Sequence, residues 1–259
     1  MKKLLFLFII LAFQPINAQM FSGYKVIDEY EASIGYLNVQ GDFGKRNRFD
    51  TTLGSSGATA GAKAYINFND PYDYSRTYLG KHLKFNIATD MGYSNLSHRN
   101  YPNPHNNPNI VKLEAITGQF YYFDIGVNME YHISDLRSFN FFSSSFFTKF
   151  DPYVGGGIYG FLYNVELESS LGNFERTPSI LPPPYLGAIH NGSRTAMGIH
   201  IETGIRYRFS DKLLFNVKSD WMYFLNDDID GLRPNPDSVE NLYNDWLLKT
   251  QFGIVIFIQ

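Results

Sequence analysis

Apolar and polar residues alternate along most of this 259-residue chain. The segment 197–209, which reads MGIHIETGIRYRF, shows the pattern most clearly. Apolar residues and one Thr occupy every second position from Met197 to Phe209, and His200, Glu202 and Arg206 lie between them. Because successive side chains of a β-strand point to opposite faces, this segment is predicted to be a strand with one apolar and one charged face.

The same period of two recurs along the chain and predicts about eight strands, the smallest number usual for outer-membrane barrels. The predicted strands are residues 29–39, 59–69, 82–94, 121–132, 152–165, 197–209, 215–225 and 246–258. The fifth is rich in glycine and less regular, with its Tyr and Phe residues on one parity. The predicted fold class is therefore all-β: a single antiparallel transmembrane β-barrel whose apolar face meets lipid and whose polar face lines the lumen.

The segments between the predicted strands alternate in character. Residues 41–58, 95–120, 166–195 and 226–245 are long and rich in Asn, Pro, Gly or Asp, and are predicted to be extracellular loops. Residues 70–81, 134–151 and 210–212 are predicted to face the periplasm, although the first two are long for that side. Residues 139–150 are expected either to extend a strand or to lie at the membrane interface, and 110–116 to extend a strand above the membrane.

The N-terminus has the pattern of an export signal. Lys2 and Lys3 precede an apolar run at 4–13, and Ala18 ends a small-residue cleavage site. The run is shorter than the roughly 20 residues that span a bilayer, so residues 1–18 are predicted to be a signal peptide and 19–259 the barrel domain. The absence of cysteine excludes a disulfide framework and a lipoprotein anchor.

Charge and aromatic content agree with a membrane location. The chain has 22 Lys and Arg against 25 Asp and Glu, which argues against a nucleic-acid partner. Aromatic residues make up 17% of the chain, and Tyr and Trp favour the interface between lipid and water. Outer-membrane lipid is therefore a predicted partner, and the bacterial outer membrane is the predicted location.

Charged residues of both signs fall on the inward parity of the predicted strands. Because charges removed from water must be paired, they are predicted to form a salt-bridge network that fills a narrow lumen. A selectivity path or a buried acid–base site is the alternative interpretation. These residues are Glu29, Glu31, Lys63, Lys84, Asp90, Asp124, Glu130, Glu202, Arg206, Arg208, Lys218, Asp220 and Lys249.

One acidic loop resembles the start of a calcium-binding loop. Asn226, Asp228 and Asp230 lie at alternate positions before Gly231, and Asp237 occupies the twelfth position, where an EF-hand has Glu. The flanking segments are predicted strands and the loop contains prolines, so an ordinary acidic surface loop is favoured. Calcium bound in another geometry stays open, and the metal site is therefore unknown.

No catalytic or cofactor-binding residue is predicted. The triplet Gly155-Gly156-Gly157 lacks the Lys and Ser/Thr of a phosphate-binding loop, and a close approach of strands explains it better. The six histidines are scattered without a metal-ligand spacing, and no G-x-S-x-G motif is present. A lipid acylase or deacylase assembled from residues on separate strands is the remaining enzymatic alternative.

Three segments resemble the PorG-like outer-membrane barrels of Bacteroidota. They are RYRFSDKLLFNVKSDWMYFLNDDIDGL at 206–232, NDWLLKTQFGIVIF at 244–257, and the pair SIGY and GDFG at 33–36 and 41–44. The resemblance implies an outer-membrane component associated with the type IX secretion machinery, and it implies no catalytic residue. The chain ends in Gln259 rather than the terminal aromatic residue common in such barrels, although Ile258 keeps the outward parity.

The predicted function is a non-enzymatic barrel that anchors or supports a secretion or envelope complex, with protein contacts at its periplasmic turns or loops. A stand-alone surface barrel of the adhesin or small-porin type is the main alternative. A soluble barrel that binds a small ligand is a further one, and it requires the apolar parity to face inward.

Overall fold

The computed structural model describes residues 27–43, 52–66, 81–98, 107–136, 139, 149–233 and 244–257. Eight antiparallel strands follow one another around a closed barrel, and the last strand pairs with the first. The strands are β1 (Ile27–Gln40), β2 (Ser56–Ile66), β3 (Leu83–Ser97), β4 (Ile116–His132), β5 (Phe150–Ser169), β6 (Gly192–Arg208), β7 (Leu213–Phe224) and β8 (Trp246–Phe257). The predicted all-β barrel is confirmed, whereas the predicted signal peptide lies outside the described residues.

One predicted strand extension is wrong. Residues Pro108–Glu114 form a short helix, α1, and β4 begins only at Ile116. The Asn107 side chain caps the helix by accepting a hydrogen bond from the Asn109 amide, and Pro108 occupies its first turn. These local signals outweigh the short alternating pattern. Within the described residues, no helix has both the length and the apolar character needed to cross a membrane.

The barrel wall has the predicted polarity through most of its height. Ile34 and Phe252 point outward and are 70% and 65% exposed, and β4, β6 and β8 each present a row of exposed apolar side chains. The charged residues of the opposite parity are buried inside the barrel. Closed antiparallel barrels with an apolar outer band are those of bacterial outer membranes, which is the location predicted from the sequence. The apolar-inward arrangement that a soluble ligand-binding barrel requires is not found in this part of the wall.

Aromatic pairs mark both edges of the apolar band. Tyr93 with Tyr121 and Tyr223 with Trp246, with ring centroids 4.9 Å apart in each pair, lie at the extracellular ends of their strands. The ring pairs Phe150 with Tyr207 and Phe209 with Phe215 lie at the periplasmic ends. On β4, ten residues separate the outward-facing Tyr121 and Tyr131, which gives about 26 Å at roughly 3.4 Å per residue and a tilt of roughly 40°. That height matches the apolar band of an outer-membrane barrel.

The polarity of the wall inverts above the extracellular aromatic edge. There β3, β4 and β5 continue outward, with exposed Asn95, Gln119 and Glu166 on the outer face. Leu96 and Phe120 point inward at the same height and are fully buried. This projecting part therefore has the apolar interior and polar exterior of a water-soluble sheet.

The Tyr and Phe side chains between Tyr153 and Tyr163 of β5 face the lumen. Val154, Ile158 and Leu162, at alternating positions, face lipid instead. Glycines on the neighbouring strands make room for the inward rings. A Cβ at Gly204 would lie 2.5 Å from the Tyr153 ring, and one at Gly126 would lie 2.5 Å from the Tyr159 ring. Glycine at these positions lets the rings lie against the wall, as expected for close approach within a small barrel.

Candidate functional site

The periplasmic half of the lumen contains a buried ion cluster centred on Lys63. Its ammonium group donates hydrogen bonds to Glu202 at 2.7 Å and to Glu130 at 2.9 Å. Glu130 also accepts a hydrogen bond from Arg206 at 2.6 Å. The Arg206 guanidinium lies 4.5 Å from the centre of the Tyr65 ring, within cation–π range. All of these side chains are at most 5% exposed, so the charges are neutralised by one another rather than by water.

Two further ion pairs cross the lumen from the C-terminal strands. Lys249 of β8 donates to Asp90 of β3 at 2.6 Å, and Lys218 of β7 lies 2.9 Å from Glu31 of β1. Strand alternation turns each of these side chains into the lumen, and the narrow barrel brings strands that are not neighbours within reach of one another.

The charged residues predicted to face inward are all on the inner side of the wall. Lys84 pairs with Glu29, and Asp124 accepts a hydrogen bond from the Asp90 amide. Arg208 is at the periplasmic mouth, where it contacts Asp211 and the Phe139 carbonyl oxygen. The predicted network is therefore present.

His200, Glu202 and Asp220 form the one group of potential metal ligands that the described residues bring close together in the lumen. His200 Nε2 lies 3.1 Å from Asp220, and Lys63 contacts both oxygens of Glu202. A metal ion would have to displace the Lys63 ammonium from its buried partner. The arrangement fits a structural network better than a metal centre.

Apolar side chains pack together in the lumen near both of its ends. At the periplasmic mouth, Phe139 packs against the inward-facing Leu214 and Val255. Of the segment 139–150, the structure describes the two ends. Phe139 lies in the periplasmic mouth, and Phe150 is the first residue of β5. Residues 140–148 lie outside the described residues. At the extracellular end, a larger apolar cluster includes Phe120, Phe161 and Phe224.

A second group of charges lies at the extracellular end, outside the membrane-spanning part. Asp42, Asp227, Asp230 and Asp245 form this mouth cluster. Asp230 accepts a hydrogen bond from the Asp42 amide at 2.6 Å, and Asp245 accepts one from the Ile229 amide at 2.9 Å. Burial raises the pKa of Asp245 well above its usual range, and the other three carboxylates raise it further.

The acidic loop predicted from the sequence does not have the EF-hand arrangement. Asp228 turns away from the mouth cluster and contacts Arg194 and the Tyr163 hydroxyl. Asp230 is fully buried, so the loop is not the ordinary surface segment that the sequence favoured. Asp237 lies outside the described residues.

Sequence reasoning missed Asp42 and Asp245 as partners of Asp230. They lie 188 and 15 positions from it along the chain, so spacing gives no signal that joins them. Strand parity places His132 in the lumen, but it does not predict the contact of its Nδ1 with Asp151 at 2.6 Å.

No protein-family model and no curated protein sequence matches the chain. Solved outer-membrane proteins resemble it in structure. Neisserial surface protein A is 13% identical and OprG from Pseudomonas aeruginosa 12%, each with a TM-score of 0.45; both comparisons cover 89% of this chain, and 96% and 97% of the other. The outer-membrane enzyme PagL is 11% identical, with a TM-score of 0.36 over 89% of this chain and 99% of its own. At these values the comparisons say nothing about function.

Proposed function

We propose that the protein is a sealed, non-enzymatic outer-membrane barrel that anchors or supports a secretion or envelope complex. The observation that carries the proposal is the filled lumen: paired charges occupy its interior, and apolar side chains pack near both ends. Such a barrel provides a fixed attachment point in the membrane, and its interactions take place at the loops and turns.

The secretion assignment rests on the resemblance of 206–232 and 244–257 to PorG-like barrels. A partner below the membrane would meet the periplasmic turns. Arg208 joins two of these turns, because it contacts Asp211 in the β6–β7 turn and the Phe139 carbonyl oxygen in the described part of the β4–β5 turn.

A stand-alone surface barrel is the second candidate. It is favoured by the projecting ends of β3, β4 and β5, which form a folded platform above the membrane with a buried apolar core. A platform of this kind can present loops to a ligand outside the cell.

Copurification from the native cell distinguishes the two candidates. The tagged protein is extracted from outer membranes in mild detergent, and its companions are identified by mass spectrometry. Recovery of secretion-machinery proteins, and their loss on reversing the Arg208 charge (Arg208→Glu), supports the anchoring function. A matched extracellular change, Arg194→Glu, should leave them bound. Recovery of the barrel alone, from membranes in which the machinery is shown to be intact, refutes the anchoring function and leaves the surface barrel.

A further inference from the structure

The outer wall carries a row of polar side chains just above its extracellular aromatic edge. Asn95, Gln119 and Glu166 lie opposite one another in register across β3, β4 and β5, and all three are exposed. Asn95 and Gln119 are two residues beyond Tyr93 and Tyr121 of the aromatic edge, which is about 7 Å along the strands. These three residues, Asn95, Gln119 and Glu166, are termed the polar ledge.

The polar ledge lies at the height of the lipid headgroups. Below the tyrosines, the outward row formed by Met91, Phe123 and Leu162 is apolar. The headgroup region extends roughly 5 to 7 Å beyond the hydrocarbon core on each side of a bilayer. Because the ledge continues the lipid-facing wall without a break, headgroups packed against β3, β4 and β5 must contact it.

Two amide groups of the polar ledge point their donors outward. The Tyr93 hydroxyl donates a hydrogen bond to Asn95 Oδ1, and the Tyr121 hydroxyl donates one to Gln119 Oε1 at 2.9 Å. Each tyrosine thereby holds the amide oxygen of its own strand, and neither amide NH₂ group has an acceptor among the described residues. The two NH₂ groups are therefore available to donate hydrogen bonds to a ligand on the outer face.

Glu166 adds an acceptor to the two donors. Ser193 Oγ donates to Asn164 Oδ1 at 2.9 Å, and Asn164 Nδ2 donates to Glu166 Oε1 at 3.1 Å. This chain positions the carboxylate, and its second oxygen has no donor among the described residues. The ledge thus presents two donors and one acceptor over two strand spacings, or about 10 Å.

We propose that the polar ledge binds the sugar rings of lipopolysaccharide, the glycolipid in the outer leaflet of bacterial outer membranes. A sugar hydroxyl both donates and accepts hydrogen bonds, so neighbouring hydroxyls can bind the NH₂ groups and the carboxylate at the same time. The exposed Tyr121 ring lies directly below, where the apolar face of a sugar can pack against it. This assignment is independent of the proposed anchoring function.

The polar ledge lacks the cations that recognise phosphate. β3, β4 and β5 have no Lys or Arg on their outward face above the aromatic edge, whereas Arg and Lys are the usual partners of phosphate groups. Glu168 lies two residues beyond Glu166 on the same face and is also exposed. The two carboxylates repel an anionic headgroup, so the ledge favours neutral sugar hydroxyls over phosphates.

Native mass spectrometry of the purified full-length barrel in mild detergent tests the ledge. The barrel is titrated with rough-type lipopolysaccharide, whose short sugar chain gives it a defined mass. We expect saturable binding in the wild type and about tenfold weaker binding in Asn95→Ala/Gln119→Ala, which loses two hydrogen bonds. Asn109→Ala is the matched control, because its exposed amide lies on α1 rather than on the wall, and its affinity should stay within about twofold.

Two further probes separate sugar from phosphate recognition. Dephosphorylated lipopolysaccharide should bind the wild type within about threefold of the untreated form. Phosphatidylglycerol should bind the wild type and the double variant equally. Gel mobility without heating shows whether each variant is folded; if the double variant is not, Glu166→Ala replaces it, with an affinity about fivefold weaker expected from one lost hydrogen bond.

Several results overturn the proposal. They are the absence of saturable binding in the folded wild type, a loss of binding on dephosphorylation, and an equal loss in Asn109→Ala. Weaker binding of phosphatidylglycerol to the double variant would assign the ledge to phospholipid instead. Equal affinities of the wild type and the ledge variant for lipopolysaccharide, the result expected of a ledge that contacts a protein, also overturn it.

Discussion

Replacing Lys63 with methionine tests whether the lumen network stabilises the barrel through charge pairing. Lys63 is the cation that contacts Glu202 most closely, with both carboxylate oxygens 2.7 Å from its ammonium group. Glu130 loses one partner but keeps Arg206 at 2.6 Å. The substitution therefore leaves one buried carboxylate without its cation, which costs about 3 to 5 kcal/mol of unfolding free energy.

The double variant Lys63→Met/Glu202→Gln provides the comparison. It removes the carboxylate that the single change leaves unpaired, and the remaining Glu130 is still neutralised by Arg206. We expect it to recover most of the lost stability, because replacing both members of a buried ion pair is often close to neutral. Met has a similar length to the Lys stem, so packing changes little.

Guanidinium unfolding in phospholipid vesicles, followed by tryptophan fluorescence and by gel mobility without heating, measures both variants. An unfolding free energy of Lys63→Met within 1 kcal/mol of the wild type would contradict the argument, because a carboxylate as buried as Glu202 should destabilise the barrel when its cation is removed. Equal destabilisation of the single and double variants would also contradict it, since it would assign the effect to packing rather than to charge.

Three further predictions concern the barrel as a whole. Planar-bilayer recordings should show no steady conductance, because the lumen is filled; steady wild-type currents would favour a porin. The two tryptophans, Trp221 and Trp246, are 50% and 44% exposed on the outer wall, so lipids brominated on their acyl chains should quench both. Trp221 should be quenched at the greater depth, because it lies two residues further from the extracellular end of β7 than Tyr223, the cross-strand partner of Trp246. Burial lowers the pKa of His98 to about 3 from 6.5, so between these pH values the unfolded chain binds a proton that the folded chain does not. Stability should therefore fall as the pH drops through this window, and His98→Gln should flatten the fall in unfolding free energy measured against pH.

The wall of the barrel was predictable because strand alternation is local. The parity that places Lys63, Glu202 and Lys249 inside follows from the sequence of each strand alone. Strand ends were less predictable: β4 and β5 extend beyond the predicted bounds because their outer ends lie above the membrane, where the polarity pattern inverts. A prediction that assigns lipid to the outer face and the lumen to the inner face along the whole strand cannot anticipate that inversion.

The partners of the buried charges were not predictable. Lys249 and Asp90 are 159 positions apart, and their contact depends on the closure and register of the whole barrel. The same is true of Asp230 and Asp42. The sequence indicated an acidic loop, but only the fold brings the start of the first loop against it.

The pairs Lys218–Glu31 and Lys249–Asp90 have a consequence for how the barrel is completed. Each joins one of the last two strands to one of the first three, so neither can form until β8 has met β1. Before that step their charges remain hydrated in an open sheet, and afterwards they are enclosed together. Closure is thus expected to be an all-or-none event late in assembly. Reopening requires the edge hydrogen bonds and both ion pairs to break together, which predicts slow unfolding and long persistence once the protein is inserted.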